Sequence, residues 1–295
     1  MFGTKTLRMA FALASASTLI ACATGNPAGT IDNSAIGQAD FRAHKATYGL
    51  VYKLPQQVND ELNARIYAPL RPRLVALGLA AEAQAYNIPH VTVVHIHSAD
   101  PSTPLKMLRA MPKVPPAIGL TLKNFYTTEA AKDAGRPWWL DLGIVKTGTG
   151  FEDMMAFNTV ATAALTPLRD GPLPRVTGPV YAKMSEAGRD LVKSVGVSGV
   201  NVVKDGKELR PHNPHNTLVY SMAQFDAGVQ TSMNQIADDL NKVLPNGIAT
   251  TFHDVSIVEL GFAGNVLREY YRISLDSGEA IDVATGRPVP GIRLK

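Results

Sequence analysis

Two short stretches of the chain carry side chains able to move protons. Pro89-His90-Val91-Thr92-Val93-Val94 and Pro214-His215-Asn216-Thr217-Leu218-Val219 each set a histidine and a threonine two residues apart in an apolar run. In a β-strand, residues i and i+2 share one face. Each pair thus presents an imidazole, whose ordinary pKa near ~6.5 lets it take or give a proton around neutral pH. Beside it stands a hydroxyl that can donate a hydrogen bond where negative charge develops. If the two strands are brought together, His90 and His215 form an acid and base couple, with Thr92 and Thr217 on the same strand faces.

The elements that must position these pairs follow from hydrophobic spacing. Residues 47–54 alternate as a strand, and residues 58–80 carry Leu62, Ile66, Leu70, Leu74 and Leu77 at helical spacing, with Pro69 and Pro72 implying a kink or two shorter helices. The first motif strand runs over residues 89–96 and a short helix over 103–111. Residues 117–127 and 138–145 read as an antiparallel pair, followed by a helix over 151–168. Residues 169–211 are irregular and read as an insertion or lid, with a helix at 185–195. The second motif strand follows at 215–222, then a helix over 226–243 and a closing hairpin of 251–260 against 270–275. Strand, helix and motif strand recur in both halves, which suggests a structural repeat.

The N-terminus reads as an address. Lys5 and Arg8 precede an apolar run over residues 9–21, too short to span a bilayer comfortably. It ends in Leu19-Ile20-Ala21-Cys22, which resembles the lipobox of bacterial lipoproteins. That resemblance implies a signal peptide over 1–21, lipidation of Cys22 and a periplasm-facing protein; Ala23 rather than Asp after the cysteine favours the outer membrane. An ordinary secretory signal is the alternative. Cys22 is the one cysteine, so no intrachain disulfide can form. Residues 22–43, rich in Gly, Asn, Ser and Thr, read as a flexible tether. Residues 44–295 then make a single bilobal domain with the insertion at about 169–211.

Composition narrows the classes further. Hydrophobic residues make up 45% and charged residues 18% of the 295, an ordinary globular balance. The formal charge of +4 falls to +2 without Lys5 and Arg8, leaving 27 basic against 25 acidic residues. Extended nucleic-acid binding has no electrostatic basis in such a surface.

His90-Val91-Thr92-Val93 and His215-Asn216-Thr217-Leu218, each opening an apolar strand after a proline, resemble the two-histidine (2H) phosphoesterase superfamily, which includes 2′,3′-cyclic phosphodiesterases. The resemblance spans roughly residues 47–275. It implies an α+β fold of two pseudo-symmetric lobes, antiparallel sheet inside and helices outside, around a central cleft. It also implies hydrolysis of a cyclic phosphodiester in a small nucleotide or related ester, with His90 and His215 catalytic, Thr92 and Thr217 on the phosphate, and no metal or other cofactor. A non-catalytic binding or scaffold lipoprotein on the same fold is the alternative.

A metal-dependent hydrolase is the third reading, because His95 and His97, joined by His212, Asp100 or His253, offer metal-ligand chemistry. Strict alternation turns His95 and His97 to the face opposite His90 and Thr92, unless a bulge intervenes. Trp138 and Trp139 read as packing residues rather than a binding platform. Gly148-Thr149-Gly150 lacks the rest of a nucleotide fingerprint and reads as a loop.

Overall fold

The computed structural model describes residues 46–77, 90–127, 138–169, 202–204, 207–210, 213–221, 227–260 and 266–295. The leader, Cys22, the tether, Pro89, His212 and most of the 169–211 insertion, including the helix read at 185–195, lie outside them.

Twelve strands and four helices alternate along the described chain in the order β1 (Ala46–Lys53), α1, β2 (His90–Ser98), α2 (Thr103–Ala110), β3 (Ile118–Thr127), β4 (Trp138–Ile144), α3 (Thr149–Leu165), β5 (Val202–Lys204), β6 (Lys207–Arg210), β7 (Asn216–Ser221), α4 (Ala227–Val243), β8 (Ile248–Phe252), β9 (Asp254–Leu260), β10 (Val266–Ser274), β11 (Glu279–Asp282) and β12 (Arg287–Arg293). Helix α1 is one run of Gln56–Leu62, a π-helical stretch Asn63–Tyr67, and Ala68–Ala76. Pro69 and Pro72 both lie inside this run, and the π-helical stretch ends just before Pro69, where an i→i−4 bond is lost. Glycine 148, at φ 91°, caps α3 and starts it two residues earlier than periodicity indicates.

Ten strands form one antiparallel sheet in the order β12-β11-β10-β9-β1-β2-β7-β4-β3-β8, while β5 and β6 pair with each other. An α+β fold with a large antiparallel sheet is the class expected from the two-histidine resemblance. The sheet has a seam. Six strands ending in β2 meet four strands beginning with β7, and across that junction only Val91 and Asn216 are in register.

The two sides of the seam are built alike. Strand β1 flanks β2 as β4 flanks β7, with α1 or α3 between the two strands in sequence and α2 or α4 after them. An antiparallel pair has a local two-fold axis normal to the sheet. Placed at Val91 and Asn216, it exchanges His90 with His215 and Thr92 with Thr217.

Residues 251–260 are not one strand. A break at His253 separates β8, which pairs with β3 at the sheet's far edge, from β9, which pairs with β1. One residue bridges at most about 7 Å between its neighbours, yet five strands stand between β8 and β9 in the sheet order. The sheet must therefore curl until the end of β8 meets the start of β9. Accordingly, Tyr52 of β1 and Phe252 of β8 stack at 5.2 Å.

One face of the sheet and all four helices share the main core, which includes Tyr48, Leu50, Tyr52, Val91, Val94, Ile96, Leu140, Leu142 and Leu218 with Leu62, Met107, Phe157 and Ile236 of the helices. Within it, the Tyr52 hydroxyl donates to Asn158 Oδ1 at 3.0 Å, which pairs that hydroxyl and that amide oxygen at complete burial. Val51, Val258, Leu260 and Val266 form a separate apolar cluster on the opposite face. That opposite face carries the histidine and threonine pairs.

Candidate active site

Register assigns each side chain its face. Asn216 pairs with core-facing Val91 and is itself fully buried, with its side chain against the Tyr67 hydroxyl of α1. Its neighbours His215 and Thr217 therefore point to the other face. Across the outer edge of each motif strand, Val51 pairs with Thr92 and Asp141 with Thr217. Continuing the Val91 and Asn216 register sets His90 beside Thr217 and Thr92 beside His215. The two histidines then stand diagonally, about 8 Å apart at their Cα atoms from ideal sheet spacings.

Each motif strand also carries one extra residue at the same offset. On β2, Val51 pairs with Thr92 and Leu50 with Val94, so Val93 is bulged. On β7, Asp141 pairs with Thr217 and Leu140 with Val219, so Leu218 is bulged. A bulge reverses the alternation beyond it. The expectation that His95 and His97 face away from His90 is thereby corrected: they pair with Gly49 and Thr47, on the same side as Thr92 and its partner Val51. Both are buried, and His97 Nδ1 meets the Thr47 hydroxyl at 2.9 Å. Among the described residues, no group of three or more His, Cys, Asp or Glu is placed to share a metal ion.

His90 is 7% exposed, and its backbone N–H donates to Asn216 Oδ1 at 3.0 Å. A side-chain amide thus makes, across the seam, a bond that the ladder would otherwise supply. His215 is more open. Its ring approaches two groups, the Asn213 carbonyl at 2.6 Å from Nδ1 and the Asp141 carboxylate at 3.6 Å from Nε2.

Asp141 is the residue that pattern reading passed over. Its side chain is 2% exposed, and burial pushes its carboxyl up to about 6, although the His215 ring and the Thr217 hydroxyl pull it back down. A signal was present in Trp138-Trp139-Leu140-Asp141-Leu142-Gly143, where a lone carboxylate interrupts an apolar strand. Tyr126 pairs with Asp141 on β3, and its hydroxyl accepts from Asn213 Nδ2 at 3.2 Å. Burial and the neighbouring Asp141 both push that phenol upward. Trp139, two residues from Asp141 on the same strand face, is half-buried.

Beside His90 the chemistry differs. The position across from it on β1 is Lys53, whose Nζ donates to Glu269 Oε2 at 2.6 Å. Burial pushes the Glu269 carboxyl up, but hydrogen bonds from Arg272, Lys53 and Ser256 outweigh it and hold the group near about 2.

No family model and no curated protein matches the sequence. Among solved structures, Usb1 of Kluyveromyces marxianus is similar at 12% identity with a TM-score of 0.36, covering 79% of this chain and 99% of its own. The same protein with uridine monophosphate is similar at 11% identity and a TM-score of 0.32, covering 78% and 98%. TT0787 of Thermus thermophilus is similar at 14% identity with a TM-score of 0.39, again covering 78% and 98%. Similarity of this degree assigns no role to any residue; the roles rest on the side chains themselves.

Proposed function

We propose that the protein is a phosphodiesterase that opens a cyclic phosphodiester, a 2′,3′-cyclic nucleotide or a related small ester, by paired-histidine acid and base catalysis. The observation that carries this reading is the two-fold arrangement at the seam: two His-x-Thr strands, adjacent and antiparallel, with both imidazoles and both hydroxyls on one face. Opening such a ring requires one proton to leave the attacking water and another to reach the departing sugar oxygen. Two imidazoles flanking a phosphate supply both transfers at neutral pH. Thr92 and Thr217 lie across from His215 and His90 respectively, where their hydroxyls can donate to the non-bridging oxygens. The scheme calls for no cofactor.

The test is hydrolysis of 2′,3′-cyclic nucleotides and 2′-5′ linked oligonucleotides by the purified chain with chelator present. Turnover is expected, and His90→Ala or His215→Ala is expected to cut it at least ~100-fold, the usual scale for losing a positioned acid or base. Wild-type turnover in either variant refutes the assignment. No hydrolysis of any of them shifts the reading to a ligand-binding protein on the same fold.

We also propose that the protein is tethered to the cell envelope through lipid on Cys22, facing the periplasm. The lipobox-like Leu19-Ile20-Ala21-Cys22 supports this. Among the described residues no helix is long and apolar enough to cross a membrane. Labelled fatty acid should be incorporated into the wild type and not into Cys22→Ser.

A further inference from the structure

The two-fold relation makes His90 and His215 equivalent in backbone, but the residues flanking them are not. The position related to Val51 is Asp141, and the one related to Lys53 is Gly143, two residues along β4 from Asp141. One half therefore places an alkyl and an ammonium side chain around its motif, and the other places a buried carboxylate.

We infer that Asp141 is a positioning residue that holds a proton on Nε2 of His215, so that His215 enters the reaction as the acid of the pair. The inference rests on the phosphodiesterase reading for its catalytic part only. The tautomer follows from chemistry. A backbone carbonyl can only accept, so the 2.6 Å approach of Nδ1 to the Asn213 oxygen requires the proton on Nδ1. The transferable proton then belongs to Nε2, the atom 3.6 Å from Asp141 Oδ2.

The buried carboxylate of Asp141 is thus the charge that this ring meets at Nε2, and it attracts a proton held there. The groups facing this ring are Asp141 and Tyr126 from the β4 and β3 side, and Thr92 and His90 across the seam. Among these, Asp141 is the one that is anionic near neutral pH. In the reaction, the Nε2–H bond breaks as the departing sugar oxygen gains that proton. The other imidazole takes the proton of the attacking water, so charge balances over the turnover.

The test has two readouts. In ¹⁵N-histidine NMR of the whole protein, neutral His215 should carry its proton on Nδ1, and its titration midpoint should be lower in Asp141→Asn than in the wild type. This needs no substrate and survives failure of the phosphodiesterase reading. A proton on Nε2 of the neutral ring, or an unmoved midpoint, overturns the inference. In the pH profile for a 2′,3′-cyclic nucleotide, Asp141→Asn should move the alkaline limb to lower pH by the same amount. Movement of the acid limb instead makes His215 the base and refutes its assignment as the acid. Should Asp141→Asn fail to fold, the wild-type tautomer carries the decision alone.

Discussion

Replacing Asp141 by Asn should change not only how stable the protein is but how its stability varies with pH. The carboxyl is raised from 3.8 to about 6, burial being the dominant cause and the attraction of His215 and Thr217 recovering only part of it. Between those values the native chain holds the proton while the unfolded chain has released it. Native protein then binds more protons than unfolded, and stability must fall as pH rises through that window. At about 1.4 kcal/mol per pH unit over about two units, the total is ~3 kcal/mol. It is absent below the unfolded value and complete above the folded one. Asn keeps the shape and cannot ionise. Urea unfolding of both proteins from pH 3.5 to 6 should therefore show wild-type stability falling relative to Asp141→Asn by roughly 3 kcal/mol between about pH 4 and 6. A difference that stays flat or rises across that window would falsify burial as the force acting on this carboxyl.

Three further outcomes are expected. Asn216→Ala removes the acceptor for the His90 amide, leaving a buried N–H unpaired at about 1–3 kcal/mol; denaturant midpoints should fall by that amount, and turnover with them. Gly150→Ala sets a methyl 1.8 Å from the Gly119 carbonyl oxygen, backbone against backbone, and should lower stability by about 3 kcal/mol in thermal or urea unfolding. Glu269→Gln should weaken the protein above about pH 4.5 through loss of its bonds to Lys53, Arg272 and Ser256. Because that carboxyl is held near about 2, the deficit should shrink as pH falls from 4.5 towards 2, and a deficit constant with pH contradicts the network.

Much of the fold was legible because its elements follow simple periods. Strands β3 and β4 pair as expected, and α4 carries Met233, Ile236 and Leu240 on one buried stripe. The misreadings share a cause in local irregularity. A two-residue period loses phase at a bulge, so Val93 and Leu218 hide where residues beyond them point. His253 divides one apolar run into strands from opposite halves of the sheet, which no local pattern discloses. Of the last two strands β11 is short, and β12 carries Pro288 and Pro290, which a strand tolerates at the sheet edge where β12 lies. At the site, the histidines and threonines were visible because each motif is contiguous. Asp141 was not, because its partnership with His215 exists only once β4 lies beside β7.

The seam between β2 and β7 gives the molecule an adjustable gauge. Among the described residues, each half sheet is tied internally by long ladders, whereas within the sheet the halves meet at one registered residue pair and the Asn216 amide, over a core that both share. The span between the two imidazoles is therefore set by that short junction together with the helices packed beneath it. Shortening Asn216 to Ser or lengthening it to Gln would alter its bond to the His90 amide, and with it that span, while leaving both imidazoles in place. Substrates of different bulk would report the change as a ruler reports a moved mark.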